Sequence, residues 1–338
     1  MLASAVRVPW HTTHGGYDRL LDHLPEVRPV TGPGGPLAAR VARLTHRVLA
    51  RHCPLPFYPA EHLAADLRLL ASREAAHVLY GDEQYWFSRR RPGPTAVTYH
   101  QPPARLKQLL PPDTWRELAP TAAHIVVLDT HQQSFFTDLV PAERVHLIPH
   151  GIDTTAFTPA GQPTTDRPLV LTVGWWLRNW TVLDTVHEQL HHRYGNTIEL
   201  IVVTRQASTR PWHRTASILE GVSEQTLIGL YRRAAVMLLP LEDATANNAL
   251  LEALACGTPA AVTDVGGIRH YTGTSQAAQL TPPGDADAAT EAVEKILAET
   301  GTTAQTARRT LARERAELFA WPLIADRMRA VYRLLEQR

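Results

Sequence analysis

The chain has 338 residues, 44% of them hydrophobic, so it exceeds one ordinary domain and can fill real cores; wholesale disorder is excluded. A formal net charge of +1 gives no general pull toward nucleic acid, and Lys stands only at 107 and 295, the other cations being Arg. Cys53 and Cys256 fall in separate halves, which argues against a disulfide framework and for a reducing cytoplasm, and no CxxC or HExxH pattern offers a metal site.

The first apolar run is too short for a signal peptide, and nothing approaches the ~18 apolar residues of a membrane span. Apolar runs alternate with helical patterns, which argues for parallel sheets covered by helices. In chain order the patterns predict a strand at 4–8, a glycine turn at Gly15-Gly16, a helix at 18–24 and another at 59–73. Strands follow at 77–80, 95–99, 125–128 and 145–148. Residues 149–168 are rich in Pro, Gly and Thr and read as an interdomain linker. Alternation restarts with strands at 169–173 and 198–203, a helix at 224–234 and a strand at 236–239. A helix beginning near Ala249, a strand at 260–263 and two long helices close the chain. The expected architecture is α/β: two doubly wound domains facing across a cleft, with ligands at the carboxyl edges of the strands. That much fits a dehydrogenase, an epimerase, a phosphorylase or a transferase equally.

The most informative stretch is 239–259. A strand ends at Pro240, a polar loop follows, and Asn247 or Asn248 can cap a helix whose first turn is Ala249-Leu250-Leu251. The free amides of that turn and the helix dipole make an anion site, suited to a diphosphate. Glu252 lies one turn in, where it can accept two ribose hydroxyls. Gly257 then ends the helix and Pro259 stops it continuing. On capping logic alone, a capped helix with an exposed Glu is the plainer reading.

The run LLEALACGTPAAVTDVGGIRHY resembles the donor-site signature of retaining glycosyltransferases of family 4, which have the GT-B fold. Other segments fall in that family's order: His14-Gly15-Gly16 for the first glycine loop, Val97-Thr98-Tyr99-His100 for the strand leading to the active-site His, and Ile148-Pro149-His150-Gly151-Ile152-Asp153 for the pre-linker motif. Leu171-Thr172-Val173-Gly174 matches the first donor-domain strand and turn, and Leu219-Glu220-Gly221-Val222-Ser223 the loop that meets the base. Phe319-Ala320-Trp321 matches the start of the closing helix. The resemblance implies an acceptor domain at 1–158, a nucleotide-sugar donor domain at 159–318, and a closing helix at 319–338 that packs back on the first domain. It also implies that Glu252 holds the ribose and that the amides before it hold the diphosphate. His100 would bond a donor-sugar hydroxyl. Gly15, Gly16 and Gly174 would allow close approach of the ligand, and Val222 would meet the base through its backbone. Apart from the resemblance, Arg205 follows the strand at 198–203, which leaves it either pointing into the cleft or placed on the surface. No cofactor and no metal is implied; the nucleotide sugar is a co-substrate.

Two departures from the family pattern stand out. The family often has a second Glu eight positions before the one matching Glu252, and here that place is Ala244, with Asp243 one residue off. It also often has Arg and Lys after the glycine of the donor domain's first strand, where this chain has Trp175 and Trp180; Arg178 between them is the natural replacement to neutralise a developing diphosphate. The patch Tyr85-Trp86-Phe87-Ser88-Arg89-Arg90-Arg91 has no family counterpart, and a membrane contact there ranks below a solvated loop with packed aromatics. The leading expectation is therefore a retaining, nucleotide-sugar-dependent glycosyltransferase. A sugar-nucleotide epimerase, or a non-catalytic binder on the same scaffold, is the alternative. The acceptor, the base, the sugar and the oligomeric state are not legible.

Overall fold

The computed structural model describes residues 1–6, 11–32, 35–56, 58–161, 167–206 and 215–337. Among them, twelve strands form two six-stranded sheets in which every pairing is parallel. The chain divides into one unit of residues 1–151 with 321–338 and a second of 152–320.

In the first unit the strands are β1 (Leu2–Ser4), β2 (Arg28–Val30), β3 (Ala76–Val78), β4 (Thr95–Thr98), β5 (His124–Val127) and β6 (Val145–Leu147), in the order β2-β1-β3-β4-β5-β6. The opening strand lies at 2–4 rather than 4–8, and Arg7 and Val8 lie outside the described residues. β2, only Arg-Pro-Val, is too short to show an apolar period, so it escapes sequence reading. One face of the sheet packs Val78, Val97, Ile125 and Tyr99 against Leu63, Leu69, Trp115 and Phe136. On the other, His77 of β3 is wholly buried between the Tyr332 hydroxyl (2.8 Å) and the Thr98 hydroxyl (2.7 Å). Burial lowers its pKa to about 3, so it is neutral. Tyr332 belongs to the last helix, Trp321–Glu336, which is thus part of this unit although it follows the second unit in sequence.

The second unit contains β7 (Leu169–Val173), β8 (Glu199–Val203), β9 (Ser217–Leu219), β10 (Ala234–Leu239), β11 (Ala260–Thr263) and β12 (Ala278–Thr281). Their order is β12-β11-β10-β7-β8-β9. Strand order reverses between β7 and β10, and the loops leaving the carboxyl ends of those two strands flank the switch point where such sheets bind ligands. The central strands are buried on both faces, one against the helices Glu224–Arg233, Asn248–Ala255 and Thr303–Glu317, the other against Trp180–Tyr194 and Ala286–Leu297. That explains the unbroken apolar run Ala-Ala-Val-Met-Leu-Leu in β10.

The division between units falls at Gly151 and Ile152, earlier than the expected 158–159. The Ile152 amide donates to the Phe319 carbonyl (2.9 Å), and Phe157 is wholly buried in the second unit's core. Arg313 donates to the carbonyls of Thr154 (2.9 Å), Phe157 (2.8 Å) and Ala255 (2.9 Å). The Pro- and Thr-rich composition signals lack of regular structure, and these bonds decide which unit the segment joins.

Candidate functional site

Three loops at the carboxyl ends of β7, β10 and β11 are tied together by backbone. The Asn179 amide donates to Pro240 (3.0 Å) and the Glu242 amide to Leu177 (2.9 Å), making an antiparallel bridge between Arg178 and Leu241. Gly267 donates to Ala244 (2.9 Å), and the Thr263 hydroxyl accepts from the Leu241 amide (2.9 Å). Leu177 sits at φ 54°, a left-handed conformation that costs a non-glycine residue roughly 1–2 kcal/mol. The surrounding bonds hold it there, beside the switch point.

Within this frame Asn247, not Asn248, is the cap: its Oδ1 accepts from the Leu250 amide (3.1 Å), and Asn248–Ala255 is the helix. Asn247 carbonyl oxygen receives the Leu251 amide (3.1 Å). The amides of Asn248 and Ala249 have no acceptor among the described residues, and they carry the positive end of the helix dipole. Leu250 and Leu251 turn their side chains into the core and are wholly buried.

Glu252 is not the exposed carboxylate that capping logic favours; it is only 6% exposed. The Tyr231 hydroxyl donates to its Oε2 (2.8 Å), whereas Oε1 has no partner among the described residues. Burial raises its pKa to about 7, against which the Tyr231 bond works. Tyr231 is itself wholly buried and fixed at its backbone by the Thr258 hydroxyl. Sequence reading missed Tyr231, because a contact across 21 positions between two helices leaves no local pattern.

Arg178 is placed differently from its expected role. Its guanidinium is buried and donates to the Val173 carbonyl through Nε (3.1 Å) and Nη2 (2.6 Å), and to Trp176 through Nη1 (3.1 Å). Burial pulls its pKa down to about 10, and it remains a cation. A buried guanidinium needs acceptors, and the carbonyls of the turn after β7 supply them. Gly174, at φ 103°, makes room: a Cβ there would stand 2.5 Å from Arg178 Nη2. Arg178 is thus a positioning residue for the turn. Arg205, by contrast, is exposed at the end of β8, next to β7, with no ion pair among the described residues. Arg178→Lys, which cannot span both carbonyls, should therefore lower the melting temperature through a loss of about 2–4 kcal/mol. Arg205→Ala should leave it within about ±0.5 kcal/mol. A thermal melt that showed the reverse order would reassign both residues.

Val222 is half-buried between β9 and the helix Glu224–Arg233, packed on the core. Beside the buried Ala244, Asp243 is half-buried, and its Oδ1 accepts from the Ala244 amide (2.8 Å). The expected donor residues Gly174 and 247–252 therefore meet at the switch point, whereas Arg205 and Val222 follow the two strands beyond β7.

In the first unit, Gly15 and Gly16 follow β1 and His100 follows β4. Gly16 has φ 100° and precedes a single 3-10 segment, Tyr17–His23, rather than an α-helix. The amides of Tyr17 and Asp18 already donate to the Tyr80 hydroxyl (3.0 and 3.3 Å). The Gly15 amide donates to the Thr12 carbonyl (3.2 Å), so the three amides of Gly15, Tyr17 and Asp18 have acceptors within the unit. His100 lies between Tyr80, stacked at 4.9 Å, and Tyr17, edge-on at 4.8 Å. Its amide donates to Asp82 Oδ2 (2.6 Å), and its Nε2 bonds the Leu79 carbonyl (2.7 Å), which fixes the tautomer with Nε2–H and leaves Nδ1 as acceptor. Burial lowers the imidazole pKa to about 3, so at neutral pH His100 is an uncharged acceptor. Asp82, its pKa raised to about 7 by burial, and Tyr80 went unnoticed in the sequence; a lone Asp inside Tyr-Gly-Asp-Glu carries no signal. The aromatic patch 85–91 resolves into packing: Tyr85 is wholly buried, and Arg91 is buried with donations to the carbonyls of Leu69, Ser72, Glu74 and Pro94.

The model of the family described as Glycosyl transferases group 1 matches residues 167–299, which contain all six strands of the second sheet. No curated protein matches the chain by sequence. Among solved structures, the chain is similar to a sucrose-phosphate synthase from Thermosynechococcus elongatus, with TM-score 0.71, 19% identity and 99% of each chain covered. It is also similar to a glycosyltransferase from Rickettsia africae, with TM-score 0.62, 12% identity and coverage of 96% of this chain and 89% of that one. A UDP-forming α,α-trehalose-phosphate synthase from Burkholderia vietnamiensis matches with TM-score 0.66 and 13% identity over 82% of this chain and 77% of that one. At these identities the likeness is one of fold: two Rossmann-like α/β domains of the GT-B type.

Proposed function

We propose that this protein is a retaining glycosyltransferase that moves a sugar from a nucleotide-diphosphate sugar to an acceptor hydroxyl in the cytoplasm, without a metal. The observation that carries the reading is Glu252, a buried carboxylate with one oxygen on Tyr231 and the other without a partner among the described residues, one turn inside a helix whose first two amides likewise have no acceptor among them. A ribose diol fits the carboxylate and a diphosphate fits the amides of Asn248 and Ala249. The family match over 167–299 supports the same assignment.

The chemistry asks little covalent work of the protein. The bond from the anomeric carbon to the diphosphate oxygen breaks, the acceptor oxygen bonds that carbon from the same face, and the acceptor proton passes to the departing phosphate. Catalysis then rests on stabilising the leaving group: the helix dipole and its free amides do so, with Arg205 as the exposed cation. Arg178 acts through the turn it holds. Neutral His100 contributes a hydrogen-bond acceptor for a sugar hydroxyl.

Incubation with a panel of UDP-, GDP- and ADP-sugars tests this by nucleotide release, and thermal shift with the free nucleotides tests binding. A nucleotide should raise the melting temperature and its sugar should be consumed. No stabilisation by any of the three would remove the reading altogether. Binding without turnover on any acceptor would favour a non-catalytic nucleotide-sugar binder, a reading that gains from the Ala at 244, where the family pattern often has Glu.

A further inference from the structure

We propose that the helix Pro36–Leu49 seats this protein on an anionic lipid surface. The helix presents Leu37, Val41, Leu44 and Val48 to solvent at 76%, 56%, 54% and 50% exposure, and Ala42 is its one buried residue. Spacings of four, three and four put those four side chains on a single stripe. Arg40, Arg43 and Arg47 repeat with spacings of three and four along the neighbouring side, and Arg51 follows in the 3-10 segment Ala50–His52. Residues 27–60 contain no Asp or Glu. Arg40, Arg47 and Arg51 have no ion pair or hydrogen bond among the described residues, and Arg43 only reaches back to the Ala39 carbonyl (3.3 Å).

An isolated exposed Leu needs no explanation, but a full stripe along a helix does. The lipid surface is chosen by the joint geometry of the two stripes. A helix lying in the interface puts its apolar stripe at the acyl boundary and its guanidiniums at the level of the phosphates. Fourteen residues make a helix of about 21 Å, and cations from its second turn to its end, with Arg51 just beyond, ask for a continuous field of negative charge rather than one carboxylate. A second copy of this chain would meet the stripe in two-fold fashion and bring arginine rows against arginine rows. No helix among the described residues is long and apolar enough to cross a membrane, so the contact is peripheral. Beside the stripe, an apolar groove of about 370 Å³ runs toward Leu63 and Leu67 of the helix Ala60–Leu70 and offers extra depth. The Trp86 indole donates to the His52 carbonyl (2.9 Å), and Arg89 lies over its ring at 3.7 Å, adding a cation near the end of the same helix.

The test is flotation of the full chain with vesicles of phosphatidylcholine alone, or with about one third phosphatidylglycerol. Binding is expected to the anionic vesicles and not to the neutral ones, weakening as salt rises. Leu44→Asp with Val48→Asp, and separately Arg40→Gln with Arg47→Gln, should each lower the partition coefficient at least about tenfold with an unchanged melting temperature, because all four side chains are exposed. The proposal is overturned by absence of binding to anionic vesicles, by equal binding to neutral ones, or by binding that both double variants retain. It is equally overturned by a sedimenting dimer that Leu44→Asp/Val48→Asp dissolves in a protein that does not float.

Discussion

Glu252→Gln is expected to bind the nucleotide that stabilises the wild type roughly ten- to a hundredfold more weakly, and yet to be the more stable protein at pH 8. The first effect is the loss of a charged acceptor in a buried position, about 1–3 kcal/mol. The second follows from burial. Burial lifts the folded-state pKa of Glu252 to about 7, above the ordinary glutamate value of 4.5, so the folded protein holds this proton to higher pH than the unfolded chain does. Between those two values the unfolded state sheds its proton first, and stability falls as pH rises; above about 7 the whole cost is present, and below 4.5 it vanishes. The cost is on the order of 3 kcal/mol. Gln keeps an acceptor for the Tyr231 hydroxyl and carries no charge, so it escapes that cost. Melts at pH 4 and pH 8 with and without UDP, GDP or ADP separate the two effects. A variant that is less stable than wild type at pH 8 would show that the carboxylate is there for folding, not for a ligand.

Gly266→Ala should destabilise the second unit by about 2–4 kcal/mol, read as a lowered urea midpoint. Gly266 sits at φ 48°, and a Cβ there would overlap the Ala244 carbonyl oxygen and press on Asp243 Oδ1 at 2.8 Å. The obstruction is backbone, which cannot swing away, and the loop it would displace is the one whose end carries the Asn247 cap. Gly284→Ala is the control: its φ of 77° is equally left-handed, but nothing lies within 4 Å, so only the conformational cost of about 1 kcal/mol remains. Equal losses in the two variants would mean that the loop after β10 yields without cost. Nucleotide binding should fall in Gly266→Ala beyond what unfolding explains, because the amides of Asn248 and Ala249 follow directly from that loop.

Much of the second unit was legible from local pattern. β7 and β11 appear at the residues where apolar periodicity puts them, and the helix 224–233 misses its expected end by a single residue. Its cap, Ser223, and the cap Asn247 are local chemistry, as is the stop at Gly257. The first unit was less legible because its strands are three or four residues long and its glycine turn leads into a 3-10 segment. The helix Trp180–Tyr194 went unread, its Asn179 cap lying inside a tryptophan-rich run.

Local pattern was enough for the alternation of strands and helices, the capped helix at 248–255 and the carboxylate one turn inside it, because each depends on neighbours within a few positions. What those groups face came from long-range packing. It buried Glu252 against Tyr231, turned Arg178 from an expected phosphate toward two backbone carbonyls, left Arg205 as an exposed cation, and drew 152–157 into the second unit. For the buried groups the physical reason is the same: a charge or a polar atom chooses its partner after burial has removed water, and the candidates are then whatever the sheet order brings near; Arg205 keeps its water and so takes no protein partner among the described residues.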